Sequence, residues 1–226
     1  MARRGKLIVI DGTDGSGKAT QTKLLINRMK FEHGPVETIS FPQYGKKSAG
    51  LAEEYLAGTY GSAMSVGPYR ASVLYAVDRF DASFQITDWL KGGRHVVSDR
   101  YVGSNMGHQG SHIADKDERT RFFTWAMEFE HGLLGIPKPD LNIVLHVPAA
   151  VAMELAKQRG GWKAKIARDI LETDLRHIEA AERTYLELAE RFDNFQVIEC
   201  FENNQLLPID TVHERVWSLI LPILSQ

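Results

Sequence analysis

The residues best suited to chemistry come early, at Gly12-Thr13-Asp14-Gly15-Ser16-Gly17-Lys18-Ala19-Thr20. The spacing G-x-x-x-x-G-K suits a phosphate cradle. Glycines let backbone N–H groups approach phosphate oxygens. A helix start then aims further N–H groups and its dipole at the anion. Lys18 adds a full charge. The ligand expected is a nucleoside triphosphate, and a chance glycine-rich turn is the plain alternative. Ala19 stands where the full pattern has Ser or Thr, and the hydroxyl comes one residue later, at Thr20. Asp99-Arg100-Tyr101 is a second candidate. An acid there suits a magnesium-linked role, and a neighbouring arginine suits bidentate phosphate contact. A surface ion pair is the other reading. A third stretch, Arg159 to Arg168, holds Arg159, Lys163, Lys165 and Arg168 with two glycines. It reads equally as a solvated basic loop or as a lid closing on phosphates. His108 and His112 are four apart. Gln109-Gly110-Ser111 between them supports a rigid helix poorly, and no cysteine or third histidine is near in sequence, so zinc is not expected.

These groups need a scaffold, and hydrophobic periodicity supplies one. Leu7–Ile10 reads as a strand entering the glycine loop, and Gln21–Met29 as a helix leaving it. Pro35–Ser40 is a second strand, opening into the loop Phe41-Pro42-Gln43-Tyr44-Gly45. Ser48–Leu56 is a short helix, followed by a glycine-dotted link, Gly58–Gly67. Pro68 suits the first position of a long helix reaching about Lys91. Its expected core stripe is Val73, Val77, Phe80 and Phe84. Tyr75 and Arg79 share the opposite face, as surface or site residues. His95–Ser98 is a third strand, delivering Asp99. Asp117–Leu133 is a helix with Phe122, Phe123, Ala126, Phe129 and Leu133 on its apolar side. Leu141–Val147 is the fourth strand. A helix over Asp169–Phe192 buries Leu171, Leu175, Ile178, Tyr185 and Leu188. Phe195–Ile198 is the fifth strand, and Ile209–Leu224 the closing helix. The alternation predicts a three-layer α/β/α fold with a five-stranded parallel sheet, as a single domain over residues 1–226.

Composition sets limits. Apolar residues make up 43% and charged residues 25%, with net charge −2. There is no global field to attract nucleic acid or anionic membrane, so neither is an expected partner. Cys200 is the single cysteine, which excludes an intrachain disulfide and fits a reducing cytoplasm. No apolar run approaches membrane-spanning length.

A phosphate loop alone does not choose among phosphate chemistries. The N/T-K-x-D motif of a GTPase is absent, and the compact length, the Asp-Arg pair and the cationic stretch point to a small-molecule kinase. The assembled motifs resemble the thymidylate kinase family from Lys6 to about Phe192. They are Ile10–Lys18, Phe41–Gly45, Leu74-Tyr75-Ala76-Val77-Asp78-Arg79, Asp99–Asn105 and Gly135-Ile136-Pro137-Lys138-Pro139-Asp140.

The resemblance implies transfer of the ATP γ-phosphoryl to dTMP, with Mg2+ as cofactor, in a homodimer. It implies Tyr75 stacked on thymine, Arg79 and Asn105 on the base edge, and Phe41 and Pro42 around the methyl. Arg100 and Tyr44 would hold the monophosphate. Asp14 would meet the sugar hydroxyl or the metal's water shell. Asp99 would share the metal, and Tyr185 would lie near the sugar, with Ser104 also on the substrate. Gly15 fits the subgroup whose catalytic arginines come from the lid, here about 159–168 with Arg159 and Arg168. His108 replaces a tyrosine thought to exclude ribose, and Ala19 removes a hydroxyl that often ligates magnesium. A kinase of broader pyrimidine range and a non-catalytic nucleotide-binding module are the alternatives.

Overall fold

A computed structural model describes residues 4–158 and 175–225. The main sheet has the order β2-β3-β1-β4-β5, all parallel. The strands are β1 (Leu7–Asp11), β2 (Val36–Ser40), β3 (His95–Asp99), β4 (Leu141–His146) and β5 (Phe195–Glu199). The helices are α1 (Lys18–His33), α2 (Gly50–Leu56), α3 (Ala63–Val66), α4 (Pro68–Lys91), α5 (Val102–Gly110), α6 (Lys116–Met127), α7 (Ala149–Gln158), α8 (Leu175–Arg191) and α9 (Ile209–Leu224). A hairpin, Phe201–Glu202 with Gln205–Leu206, and the short helix α3 went unread in the sequence.

The central strands are fully buried because both faces are covered. Leu7 and Val9 of β1 join one core with α4, α5, α6 and α8. Ile8 and Ile10 join the other with α1, α7 and α9. Period-two alternation therefore selects a core rather than a solvent side.

Three expectations are corrected. On α4, Val73, Val77, Phe80 and Phe84 are exposed, from 37% to 63%. The buried side instead carries Ala71, Ser72, Ala76, Asp78, Arg79, Ala82, Ser83, Ile86 and Leu90. Small residues let this helix approach its neighbours closely, and a hydrophobic stripe cannot report that. Beyond α6, a π-helical turn, Glu128–Leu133, widens the helix and shifts its register. Glu130 and His131 are buried there, while Leu133 is 78% exposed. His108, finally, lies within a regular helix.

α5 packs against α8 through glycine. A Cβ at Gly107 would lie 2.7–2.9 Å from the ring of Tyr185, itself 1% exposed. We expect Gly107→Ala to destabilise the fold by about 1–3 kcal/mol through overpacking, read by urea denaturation. A change under about 0.5 kcal/mol would show that the ring can yield.

Candidate phosphotransfer site

In the strand order β2-β3-β1-β4-β5 the chain reverses direction across the sheet between β3 and β1. The crevice at their carboxyl ends is where an open parallel sheet presents loops to a ligand. Asp99 is the register partner of Ile10, and the Arg100 N–H donates to the Ile10 carbonyl at 3.0 Å. The end of β3 is thereby pinned beside the phosphate loop. Arg100 itself has φ 67°, a left-handed conformation that turns the chain sharply into α5.

The phosphate loop needs glycine where its backbone turns against its neighbours. Gly15 has φ 92°, and a Cβ there would meet the Ala152 carbonyl oxygen at 1.9 Å. Lys18 opens α1 and is buried. Its Nζ donates to the Thr13 carbonyl at 2.8 Å and to Asp14 Oδ1 at 3.1 Å. Arg100 Nη2 donates to the same Asp14 oxygen. One carboxylate thus gathers two cations from different strand ends. Burial, then the Arg100 charge, pulls the Lys18 ammonium below its ordinary value, against the attraction of Asp14.

Behind this layer lies a structural one. Asp11, fully buried, accepts from Ser104 Oγ. Burial pushes its carboxyl up to about 6, against the pull of that hydrogen bond. Tyr185 OH donates to Ser104 Oγ at 3.2 Å. Ser104 lines the cavity, but its hydroxyl is committed to the protein. Tyr185 belongs to a core cluster and meets the site through Ser104 and an edge contact on His108 at 5.8 Å.

The cavity holds about 350 Å³. Asp14, Gly15, Gly17, Lys18, Ala19, Asp99 and Arg100 line its cationic end. Phe41, Pro42, Tyr44, Tyr75, Arg79, Asn105 and His108 line the remainder. Most residues expected on the substrate are therefore brought together. Tyr75 and Arg79 both line the cavity, and Arg79 is only 2% exposed. Arg159 and Arg168, with the stretch 159–168, lie outside the described residues.

Three positions in or beside the site went unassigned in the sequence. Asp78, 1% exposed, accepts from the Gln43 N–H at 2.7 Å, from Gln43 Nε2 at 3.0 Å and from Ser48 Oγ at 2.7 Å. It ties the Phe41–Gly45 loop to α4. Glu130 takes Arg79 bidentately, from Nε at 2.5 Å and Nη2 at 2.7 Å. His177 is the third. It stacks on His112 at 4.8 Å and on His108 at 5.7 Å, although sequence proximity had suggested no third histidine. Among the described residues no group of three or more His, Cys, Asp or Glu side chains is placed to hold a metal ion.

His108 Nε2 lies 3.0 Å from Arg100 Nη1. A guanidinium only donates, so this nitrogen accepts and the ring is neutral. Burial, then the charges of Arg100 and His177, holds His108 well below 6.5.

A loop that cradles phosphate, a strand-end Asp-Arg pair and an aromatic-to-cationic cavity define a P-loop phosphotransferase for small substrates. Comparison with known proteins narrows this. The thymidylate kinase family profile matches residues 10–216. A thymidylate kinase of Mycobacterium tuberculosis is 33% identical over 184 residues, covering 81% of this chain and 85% of that one. A probable thymidylate kinase of Pyrococcus abyssi is 26% identical over 218 residues, 96% of each. The solved thymidylate kinase of Candida albicans, described as having broad substrate specificity, shares the fold. Its TM-score is 0.73 at 23% identity, covering 97% of this chain and 92% of that one. This chain belongs to the thymidylate kinase family.

The histidines predict a pH response. His108, His112, His131 and His213 all sit below 6.5 in the fold, chiefly through burial. His146, raised by Glu182 and Glu199 against its own burial, and Asp11, raised to about 6, partly oppose them. Below about 6.5 the unfolded chain binds more protons than the fold at the four depressed sites, so stability falls as pH falls. We expect Tm to drop between about pH 7.5 and 5.5, and less steeply in His108→Gln, which retains an acceptor. Equal slopes in the two proteins would remove His108 from the account.

Proposed function

We propose that this chain transfers the γ-phosphoryl group of ATP to the 5′-phosphate of dTMP, giving ADP and dTDP. The observation that carries this reading is the convergence of Lys18 and Arg100 on Asp14 at one end of a cavity whose other end is aromatic. Two polyanions must meet in such a reaction, and their repulsion is the main obstacle. Lys18 lies at the loop that takes the triphosphate. Arg100, with Tyr44, faces the acceptor phosphate. Asp14 holds both cations until phosphate oxygens displace it, and then meets the sugar or the water around the metal. The acceptor needs no strong base, because a monophosphate with second pKa about 6 is mostly dianionic at neutral pH. Positioning and charge neutralisation are the catalytic means. Gly12 to Thr20 would carry the triphosphate, and Arg159 and Arg168 would close over the transferring group.

Magnesium fits these residues. Asp99 Oδ1 is buried at the tip of β3 with no hydrogen-bond partner. Hard cations take such oxygens. Asp99 would hold the ion directly and Asp14 through water, since Ala19 offers no hydroxyl. Bound there, magnesium would neutralise charge on the bridging phosphate oxygens. Among the described residues no helix is long and apolar enough to cross a membrane. With Cys200 as the single, buried cysteine, we place the enzyme in the reducing cytoplasm.

We further propose a homodimer joined across α4. Val73, Val77, Phe80 and Phe84 line up on its outer side, with the Phe80 and Phe84 rings 5.3 Å apart. A helix face this apolar is unusual when left in water.

ADP release measured with dTMP, dUMP, dCMP and UMP tests the reaction. We expect dTMP to be the best acceptor and Lys18→Ala to lower turnover by about a hundredfold or more. Loss of less than about threefold would exclude Lys18 from charge stabilisation. Sedimentation tests the dimer. Phe80→Glu combined with Phe84→Glu should give monomers at concentrations where the parent is dimeric. A dimer that persists would place the interface elsewhere.

A further inference from the structure

Behind the aromatic end of the cavity lies a buried polar triad. Glu130 is 0% exposed, Arg79 2% and Asn105 4%. Glu130 takes Arg79 Nε and Nη2 at 2.5 and 2.7 Å, which leaves Nη1 of the guanidinium outside the pair. It also accepts from Asn105 Nδ2, at 3.0 Å on Oε1. The second hydrogen of that amide goes to the Ser72 carbonyl at 3.3 Å. Both partners of the Asn105 nitrogen are oxygens that only accept. The amide therefore cannot be turned over without setting two acceptors against its own oxygen. Asn105 Oδ1 remains, buried and with no partner. An unpaired buried acceptor costs free energy until a ligand supplies a donor.

We propose that Glu130 is a specificity-determining residue, fixing the polarity of the base-recognising edge so that it takes a pyrimidine with a 4-oxo group and an N3–H and rejects a 4-amino pyrimidine. The inference rests on the reading that the nucleotide base occupies this end of the cavity. Arg79 Nη1 presents a donor, and thymine and uracil offer a carbonyl at position 4. Asn105 Oδ1 presents an acceptor, and their N3 carries a hydrogen. Cytosine inverts both, with an amino group against the guanidinium and a lone pair against the amide oxygen. Glu130 touches no substrate in this scheme. It acts through the two residues it holds. Charge alone would not achieve this, because the same carboxylate must satisfy Arg79 and orient Asn105 together. The π-helical turn Glu128–Leu133 is the local feature that carries Glu130, and it explains why an acid stands on an otherwise apolar helix side.

The test compares dUMP with dCMP, which differ only in the groups at positions 3 and 4. In the parent, kcat/KM should favour dUMP by about a hundredfold or more. Glu130→Gln lets a side-chain amide donate to Asn105 Oδ1 and turn the asparagine over, so the dUMP:dCMP ratio should fall by about tenfold or more. Glu130→Asp keeps an acceptor-only group and should retain most of the ratio. General damage to the fold would lower both substrates together and leave the ratio alone. A ratio that stays within about threefold of the parent in Glu130→Gln overturns the proposal. A parent that phosphorylates neither these nor dTMP overturns the functional reading instead. If Glu130→Gln does not fold, hydrogen exchange of the Asn105 side-chain amide decides in the unmutated protein. Slow exchange without nucleotide supports its commitment to Glu130 and Ser72, and rapid exchange overturns it.

Discussion

Two cations that repel one another are held at one point by a single carboxylate. Lys18 comes from the loop after β1 and Arg100 from the tip of β3, and both reach Asp14. Removing such charges from water costs several kcal/mol each, and only a close counter-ion offsets the loss. The site therefore depends on Asp14 lying between two neighbouring strand ends. The parallel register of β1 and β3 sets that spacing, and α5 is tied behind it by Ser104 and Asp11. In the proposed reaction these cations are gathered before phosphate takes the place of Asp14.

The second constraint is on α4. This helix has two candidate faces, one rich in large apolar side chains and one rich in alanine, serine and paired charge. The fold turns the second inward. Alanine and serine bring the helix close, and Asp78 and Arg79 find buried partners in Gln43, Ser48 and Glu130. The large residues are left outside. A hydrophobic stripe measures what a helix could bury. It does not say whether the burial happens within one chain or between two.

Much of the site could be read from residue order alone, because its parts are local. The glycines and lysine of the phosphate loop, the Asp-Arg pair after β3 and the Phe41–Gly45 loop each lie within a few residues at a strand end. Chain direction already says where a strand end points. Glu130 and Asp78 were not legible as site residues. Their importance comes from partners 51 and 35 positions away in sequence, and no local pattern encodes such a pairing. His177 escaped for the same reason. It lies 69 residues beyond His108, and only the packing of α8 on α5 stacks the rings.

What the amino-acid order determined by itself was the set of elements, their parallel arrangement and the chemistry of the phosphate end. All of these follow from short-range periodicity and from backbone conformations open chiefly to glycine. Tertiary structure alone decided which side of α4 is buried and which groups hold Arg79 and Asn105. Those outcomes depend on which distant surfaces meet, and a helix with two usable faces is resolved only when its neighbours select one.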